Sequence, residues 1–477
     1  MALILIFFPL LMAGLALVIP SNTLRPWLLP ITAIVHLTAT ITAILHPEWG
    51  SHSVWLVLDP VGMIILITIT ILFLFSSFYT IGYLKLRQKL SNRFFTACLL
   101  AFLGLISLAI WAHHMGLMWV AIEGTTLVTA PLIYFNHTPR SIEATWKYLL
   151  VGSVGIALAL LGTFFLAYSS MQGGMEATLT FEVLLKTAPR LSRSWLKASF
   201  ILILVGYGTK MGLAPMHTWK PDAYGEAPGV VGGIFAGGIT SGAFLALLRM
   251  YQICSAAGET AFMSKLLIFM GLFSMAVAGV FMLSQKDFKR MLAYSSVEHM
   301  GILALGLGIG APALYATLLH VINNAMTKGV LFLSAGNIHR AYSSKNTDQV
   351  RGALRRLPLS GSLFLGGFLA VTGSPPFSPF VSEFSILTSA FTHNHILAGS
   401  LFLFFLLLVF IGMGITVLKV VQGKVPENII DSGYQESFLT IAPVLAFMAL
   451  VLLLGLYIPE FLQNMLQNAA HFLENKV

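Results

Sequence analysis

Residues 196–216 read LKASFILILVGYGTKMGLAPM, an apolar run that contains a lysine, Lys210, and a proline, Pro215, near its end. A helix needs ~20 mainly apolar residues to cross the hydrocarbon core of a bilayer. Proline removes a helical hydrogen bond, and the freed backbone groups are tolerated at membrane depth only where they face protein or a water-filled cavity. The stretch therefore predicts a membrane helix that is interrupted inside a larger bundle.

Similar apolar runs recur along the chain. Hydrophobic residues make up 57% and charged residues 9% of the 477 residues, whereas roughly a quarter of an ordinary soluble domain is charged. The first run lacks a positive segment before it and a cleavage site after it, so it is interpreted as a retained helix. The fold class is predicted to be an all-α integral membrane protein with about fourteen transmembrane helices, at residues 2–20, 28–46, 58–82, 95–112, 116–135, 145–169, 196–216, 228–252, 264–284, 290–309, 312–337, 360–390, 395–420 and 436–458.

The run at 360–390 is too long for one straight membrane helix. It contains the sequence GSPP at residues 373–376, and two consecutive prolines cannot continue a helix. A second broken helix is therefore predicted here. The connection at 170–195 is also unusual, because its polar and basic residues predict a helix on the surface.

Basic residues are concentrated in alternate loops. Those after odd-numbered runs hold roughly eighteen Lys and Arg residues, against about six elsewhere. The set comprises Arg25, Lys85, Arg87, Lys89, Arg93, Arg140, Lys147, Lys220, Lys286, Lys289, Arg290, Arg340, Lys345, Arg351, Arg355, Arg356, Lys419 and Lys424. Since cytoplasmic loops attract Lys and Arg, the N-terminus is predicted on the non-cytoplasmic side of a cytoplasmic (inner) cell membrane. This asymmetry accounts for the formal charge of +9 without a nucleic-acid partner.

No redox or nucleotide site is expected within the chain. The two cysteines, Cys98 and Cys254, each lie in an apolar run, which excludes a disulfide framework and an iron–sulfur cluster held by this chain alone. No phosphate-binding G-x-x-x-x-G-K-[ST] motif is present. We therefore expect no cofactor and no metal, and any electron transfer would belong to partner subunits.

Several polar or ionisable residues fall inside the apolar runs, where each ionisable one costs at least ~2.5 kcal/mol unless it meets water or a partner. Asn324 lies four residues after His320 and four before Lys328, and this spacing places the three side chains on one helix face. Structural ion pairs are one interpretation; a proton relay is favoured, because two of the residues lie beside the broken helices. The candidates are Glu123, Lys210, His320, Asn324, Lys328 and Glu383.

Four further residues are weaker candidates. Glu143 and Lys147 follow Pro139, where a solvated first turn of a helix is an equal alternative. Glu298 and His299 open the tenth run, and for Glu298, as for His113 and His114, an interfacial position is expected.

Three motifs make the chain recognisable. They are GLAPMHTWKPDAYGEAP at 212–228, DFKRMLAYSS at 287–296 and GSPPFSPFVSEF at 373–384. The chain resembles the antiporter-like proton-pumping subunits of respiratory complex I, Mrp antiporters and the membrane arms of energy-converting hydrogenases. The stretches LMWVAIEGTTL at 117–127 and SSVEHMG at 295–301 are most similar to the hydrogenase component F branch.

The resemblance implies two inverted repeats of five helices, each with one broken helix. It divides the chain into an N-terminal three-helix segment (1–94), an input repeat (95–252), an output repeat (264–420) and a C-terminal helix with a tail (421–477). It also implies that Glu123 and Lys210 form the input half of the proton path. His320 and Lys328 then belong to the output half, and Glu383 ends it.

The chain departs from the family pattern at three positions. Ser241 stands where many members have the lysine that bridges the two halves, Asn324 replaces a second histidine, and Tyr224 replaces a common histidine. A serine cannot hold a charge, although its hydroxyl can pass a proton through hydrogen-bonded water. Either Ser241 and water bridge the halves, or the chain no longer pumps along the full path.

Three functions are compatible with the sequence. The leading hypothesis is a proton-translocating, non-redox subunit of a membrane-bound oxidoreductase complex, with other membrane and redox subunits and the bilayer as its partners. The first alternative is a cation/proton or bicarbonate-linked transporter of Mrp type, for which sodium is a candidate cargo besides protons. The second is a structural membrane subunit without transport, for which Ser241 and Asn324 are the best support.

Overall fold

The computed structural model describes residues 1–49, 53–88, 90–426 and 432–474. Lys89 lies outside them. Within them the regular structure is helical, apart from isolated bridges between single residues. The helices are α1 (Ala2–Val18), α2 (Leu28–Leu45), α3 (Pro60–Lys85), α4 (Arg93–Trp111), α5 (Met115–Ile133), α6 (Pro139–Gln172), α7 (Phe181–Lys186), α8 (Arg193–Met211), α9 (Trp219–Glu226), α10 (Gly229–Ile234), α11 (Thr240–Ala256), α12 (Thr260–Leu283), α13 (Phe288–Ile309), α14 (Ala311–Tyr342), α15 (Ala353–Arg356), α16 (Pro358–Val371), α17 (Ser378–Thr392), α18 (Ile396–Val421), α19 (Phe438–Leu456) and α20 (Glu460–Glu474).

The protein is an all-helical integral membrane protein, as predicted. Ten helical stretches of the described chain are long and apolar enough to cross a bilayer. Large apolar side chains such as Leu11, Phe269 and Leu397 are exposed on the outside of the bundle, where a membrane protein meets lipid rather than water. Each of the fourteen predicted runs overlaps a helix, but the number of helices that cross the membrane stays a prediction.

Both predicted interruptions are present. The first separates α8 from α9: α8 ends at Met211, and Gly212 follows with a φ of 82°. Glycine adopts this left-handed conformation without the steric cost that a Cβ atom brings. The second separates α16 from α17, where Gly373 has a φ of 65°. Each break leaves helix ends whose backbone groups need partners from outside the helix, next to a buried ionisable side chain, Lys210 or Glu383.

The long helix α14 is the centre of the bundle. It packs against α3, α10, α13, α16, α17 and α19. Opposite it, α10 and α11 are joined by a π-helical segment, Phe235–Ile239. The carbonyl oxygen of Ala236 in this segment accepts hydrogen bonds from Thr240 Oγ1 (2.7 Å) and Asn324 Nδ2 (3.3 Å). This contact ties α14 to the first half of the chain.

A buried ion pair holds the N-terminal segment to the first half. Arg249 of α11 and Asp59, which caps α3, are 2.9 Å apart, and their side chains are only 2% and 3% exposed. The guanidinium group also donates to the backbone carbonyl groups of Ile110 (2.8 Å) and Ala112. Because its donors are satisfied by a carboxylate and two carbonyls, the buried charge is tolerated.

The predicted domain boundaries themselves stay predictions.

Three elements refine the sequence analysis. Helix α6 begins at Pro139 rather than 145, so Glu143 and Lys147 lie in its first turns. The short helix α7 lies in the 170–195 connection, where a surface helix was predicted. Helix α20 was not predicted, because a search for runs of membrane-spanning length misses a short amphipathic helix. Its apolar residues Leu466 and Leu473 pack onto the bundle, which includes α3 and α14.

Candidate functional site

The first cluster of buried polar groups joins Glu123 to Lys210. Lys210 lies in the last turn of α8, directly before the break, and is buried. Its ammonium group donates to the hydroxyl groups of Thr126 and Tyr148, the latter at 3.0 Å. Thr126 in turn donates to a carboxylate oxygen of Glu123 at 3.1 Å. The structure therefore brings the two predicted input residues to one shared hydroxyl group.

Tyr148 extends this cluster towards the broken helix. Its hydroxyl group lies 2.8 Å from Thr129 Oγ1, and its ring lies under the ammonium group of Lys210, 4.9 Å away. The ring also packs on Trp219, the first residue of α9, with centroids 5.0 Å apart. The aromatic rings thus fix the lysine on one side, while hydroxyl groups offer a hydrogen-bonded route on the other.

The second cluster surrounds Lys328 in the middle of α14. Its ammonium group donates to Ser295 Oγ at 2.6 Å. One turn further along α13, Glu298 is fully buried, and neither of its carboxylate oxygens has a hydrogen-bond partner among the described residues. The expected interfacial position of Glu298 is therefore wrong. Helix α13 begins at Phe288 and is covered on all sides, so its eleventh residue lies inside the bundle.

A histidine pair continues from this cluster. His299 Nδ1 and His320 Nε2 are 2.9 Å apart, and both side chains are fully buried. The other ring nitrogen of His320 lies 3.0 Å from Ser382 Oγ on α17. A neutral histidine has one nitrogen that donates and one that accepts, so this pair can pass a proton by changing tautomers.

Glu383 lies at the second break. It is buried in the first turns of α17, and a Cβ atom at Gly373 would lie 2.3 Å from one of its carboxylate oxygens. Side-chain ligand atoms of Glu383, His299 and His320 all lie within 4.8 Å of one another, a spacing that could hold a metal ion. His299 and His320 hydrogen-bond each other in the structure, which suits a proton path equally well.

The residues between the two clusters do not form a direct link. The hydroxyl group of Ser241 donates to the carbonyl group of Gly237, one turn back in its own helix, at 2.6 Å. Asn324 donates to Ala236 across the helix interface, and its carbonyl oxygen has no partner among the described residues. Of the predicted site residues, these two join neither cluster by a side-chain hydrogen bond in the described part of the chain.

A buried lysine that was not among the predicted site residues lies between the two clusters. Lys220 was counted among the basic loop residues, but it is fully buried. Its ammonium group donates to the carbonyl groups of Met211 (2.6 Å) and Ser296 (3.3 Å). The loop assignment is wrong because α9 folds back into the bundle after the break. Lys289, also counted as a loop residue, is buried too and donates to backbone carbonyl groups of Gly225 and Ala227.

Glu143 and Lys147 lie apart from both clusters, on the wall of an open charged cleft of about 680 Å³. They pair with each other at 2.6 Å, and Lys147 also contacts Asp222 at 2.9 Å. Both side chains are well exposed, at 64% for Glu143 and 46% for Lys147. Glu143 and Lys147 therefore lie in solvated first turns of a helix, which was one of the two alternatives from the sequence.

Comparison with known proteins places this arrangement in a family. The family model described as NADH:quinone oxidoreductase/Mrp antiporter, TM, matches residues 112–416. A hydrogenase-4 component F homolog from Methylacidiphilum infernorum is 36% identical over 387 residues, which cover 80% of each chain. The NADH-quinone oxidoreductase subunit N of Desulforudis audaxviator is 30% identical over 344 residues, or 72% of this chain and 67% of that one.

The fold extends this similarity to nearly the whole chain. A chain in the structure of the Mrp complex from Dietzia sp. DQ12-45-1b superimposes with a TM-score of 0.86 and 19% identity, covering 99% of this chain and 97% of that chain. The family match includes both broken helices and both clusters of buried ionisable residues. The chain therefore belongs to the NADH:quinone oxidoreductase/Mrp antiporter family of membrane subunits, as the sequence motifs indicated.

Proposed function

We propose that this chain is a proton-translocating subunit of a membrane-bound oxidoreductase complex, and that redox partner subunits supply its energy. The observation that supports this most directly is the pair of buried clusters, each beside a broken helix. One contains Glu123 and Lys210, and the other contains Glu298, Lys328 and Glu383. Buried acids and bases joined by hydroxyl groups are the components from which proton relays are built.

The relay would work by local changes in charge. When Glu123 is ionised, its charge favours the protonated form of Lys210; when Glu123 is neutralised or moves away, burial favours the neutral amine. A conformational change in a neighbouring subunit could therefore load and unload a proton at Lys210. Two inverted five-helix repeats, about fourteen membrane crossings and a non-cytoplasmic N-terminus belong to the same proposal.

The test uses the intact complex, purified from its native membrane and reconstituted into liposomes. Protons moved per electron transferred are measured with a pH-sensitive dye trapped inside the vesicles. We expect Lys210→Ala to lower this ratio strongly. Lys197→Ala is the matched control, because Lys197 lies on the same helix but is partly exposed and pairs with Glu259. Full proton transport by Lys210→Ala would overturn the proposal.

A cation/proton or bicarbonate-linked transporter of Mrp type remains the second candidate, supported by the similarity of the fold to a chain of an Mrp complex. The partners distinguish the two candidates. Copurification with hydrogenase or quinone-reductase subunits supports the redox-driven pump. Transport that depends on sodium, and not on electron transfer, supports the second candidate.

A purely structural subunit is disfavoured on energetic grounds. Each ionisable group at membrane depth costs at least ~2.5 kcal/mol. Lys210, Lys220, Glu298, Lys328 and Glu383 are all buried. A subunit that only fills space would be more stable with apolar residues of similar volume at these positions.

A further inference from the structure

We propose that Lys220 is the proton-relay residue that connects the two halves of the path, in place of the lysine that Ser241 replaces. This inference rests on the proposed function and names a residue for it. Ser241 has a hydroxyl group turned back onto its own helix, at 2.6 Å from the carbonyl oxygen of Gly237. An ionisable group that acts at the junction of the two halves must therefore come from another element.

Lys220 lies at this junction. Its ammonium group donates at 2.6 Å to the carbonyl group of Met211, the residue directly after Lys210. It also lies 3.3 Å from the carbonyl oxygen of Ser296, the residue directly after Ser295. Ser295 holds the ammonium group of Lys328 at 2.6 Å. A single side chain thus contacts the chain neighbour of Lys210 and the chain neighbour of Ser295, the hydrogen-bond partner of Lys328.

The surroundings of Lys220 suit a group that changes its charge. The side chain is fully buried, and the described residues place no carboxylate within ion-pair distance of its ammonium group. Its acceptors are two backbone carbonyl groups, one of them at the C-terminal end of α8, where the helix dipole is negative. A buried lysine without a carboxylate partner can exist as either amine or ammonium, as a relay requires.

Hydroxyl groups lie next to it on the output side. Those of Tyr224 and Ser296 are buried and lie close to each other. The ring of Tyr224 lies 5.5 Å from the ammonium group of Lys220. A hydroxyl group accepts one proton while it donates another, so it can join two amines without itself becoming charged.

Two successive proton transfers would connect Lys210 to Lys328 through Lys220. The Lys210 ammonium group releases a proton through hydrogen-bonded water to the Lys220 amine, which leaves Lys210 neutral and Lys220 charged. Lys220 then releases a proton through the Ser296 hydroxyl group towards the Lys328 amine. The chain gains and loses no proton overall, and no oxidant or reductant takes part.

A structural role is the competing explanation, because Lys220 also caps the end of α8. The two explanations differ in what replaces the lysine. Lys220→Gln and Lys220→Arg both keep a donor for the carbonyl group of Met211, but glutamine cannot hold a proton and arginine does not release one. A cap tolerates either substitution, whereas a relay residue tolerates neither.

We would measure protons per electron in the reconstituted complex for both variants. We expect each to lower this ratio as strongly as Lys210→Ala does, because loss of a positioned proton-transfer group slows the transfer by ~10²-fold or more. Lys289→Gln is the matched control: Lys289 is equally buried and donates to two backbone carbonyl groups, but it contacts neither cluster. It should change the amount of assembled complex without changing the transport ratio.

The outcomes separate this inference from the proposed function. If Lys210→Ala stops transport while Lys220→Gln and Lys220→Arg both retain it, Lys220 is a cap and the inference is overturned. If all three retain transport, the proposed function fails as well. If the Lys220 variants do not assemble, Ser296→Ala decides, because it removes the hydroxyl group and leaves the backbone contact intact. Full transport by Ser296→Ala overturns the inference, and loss of transport supports it.

Discussion

Thr126 Oγ1 binds Lys210 and Glu123 at the same time: it accepts a hydrogen bond from the ammonium group and donates one to the carboxylate at 3.1 Å. The acid lies on α5 and the base on α8, far apart in the sequence; they meet because α5 and α8 both pack against α6. The hydroxyl group between them controls how strongly each one senses the charge of the other.

The first prediction concerns Thr126 itself. Thr126→Val keeps the shape of the side chain but removes the hydroxyl group, so Lys210 and Glu123 lose their shared partner. We expect proton transport per electron to fall by about tenfold, since one hydrogen bond to a charged group is worth ~1.5–3 kcal/mol. Thr126→Ser restores the hydroxyl group and should restore transport. Equal transport by the valine and serine variants would contradict the prediction.

The second concerns Glu298, which the structure buries. Glu298→Gln keeps its volume but removes the proton-accepting carboxylate next to the Lys328 cluster. We expect proton transport to fall while the redox rate of the partner subunits, measured with permeabilised vesicles, changes less. Glu143→Gln is the control, because Glu143 is exposed on the wall of the charged cleft. The same response from both variants would argue against a role for Glu298 in the path.

The third concerns the close approach of Gly373 to Glu383. In Gly373→Ala the new methyl group would lie 2.3 Å from a carboxylate oxygen of Glu383, so this side chain must move. We expect transport to fall. Alanine at positive φ also strains the backbone by roughly 1–2 kcal/mol, so the control must share that strain. Gly423→Ala does so, because Gly423 has a φ of 90° and open space around its Cβ position.

Thermal stability and transport are measured for both glycine variants. The displacement of Glu383 predicts a loss of transport in Gly373→Ala alone. A loss of the same size in Gly423→Ala would assign the effect to backbone strain.

The fourth concerns the ion pair between Arg249 and Asp59. Arg249→Met leaves the carboxylate of Asp59 buried without its partner, which typically costs about 3–5 kcal/mol. We expect a large decrease in the thermal unfolding temperature of the purified complex, with little assembled protein at growth temperature. The double variant Asp59→Leu, Arg249→Met removes both charges and should recover much of the stability. No recovery in the double variant would show that packing of the arginine, and not its charge, is decisive.

The class of fold and most of the candidate site residues could be predicted from the amino-acid sequence alone. Apolar runs of membrane-spanning length determined that the chain is a helical membrane protein, because backbone groups in lipid must be satisfied within helices. Prolines and glycines determined where two helices break, since they remove hydrogen bonds or adopt positive φ whatever surrounds them. Lys210, Lys328 and Glu383 could be found because a charge in an apolar run is conspicuous.

The burial of charged residues near helix ends, in contrast, could be seen only in the folded chain. Glu298 and Lys220 are both flanked by polar residues in the sequence, and this pattern is typical of a membrane surface. Their burial depends on helices that are distant in the chain: α13 is enclosed by its neighbours, and α9 turns back between α6 and α13. Local sequence patterns report the preference of a segment for lipid or water, whereas burial at a break depends on what packs over it. For this reason Lys220 could be proposed as the bridge between the two halves only from the folded chain.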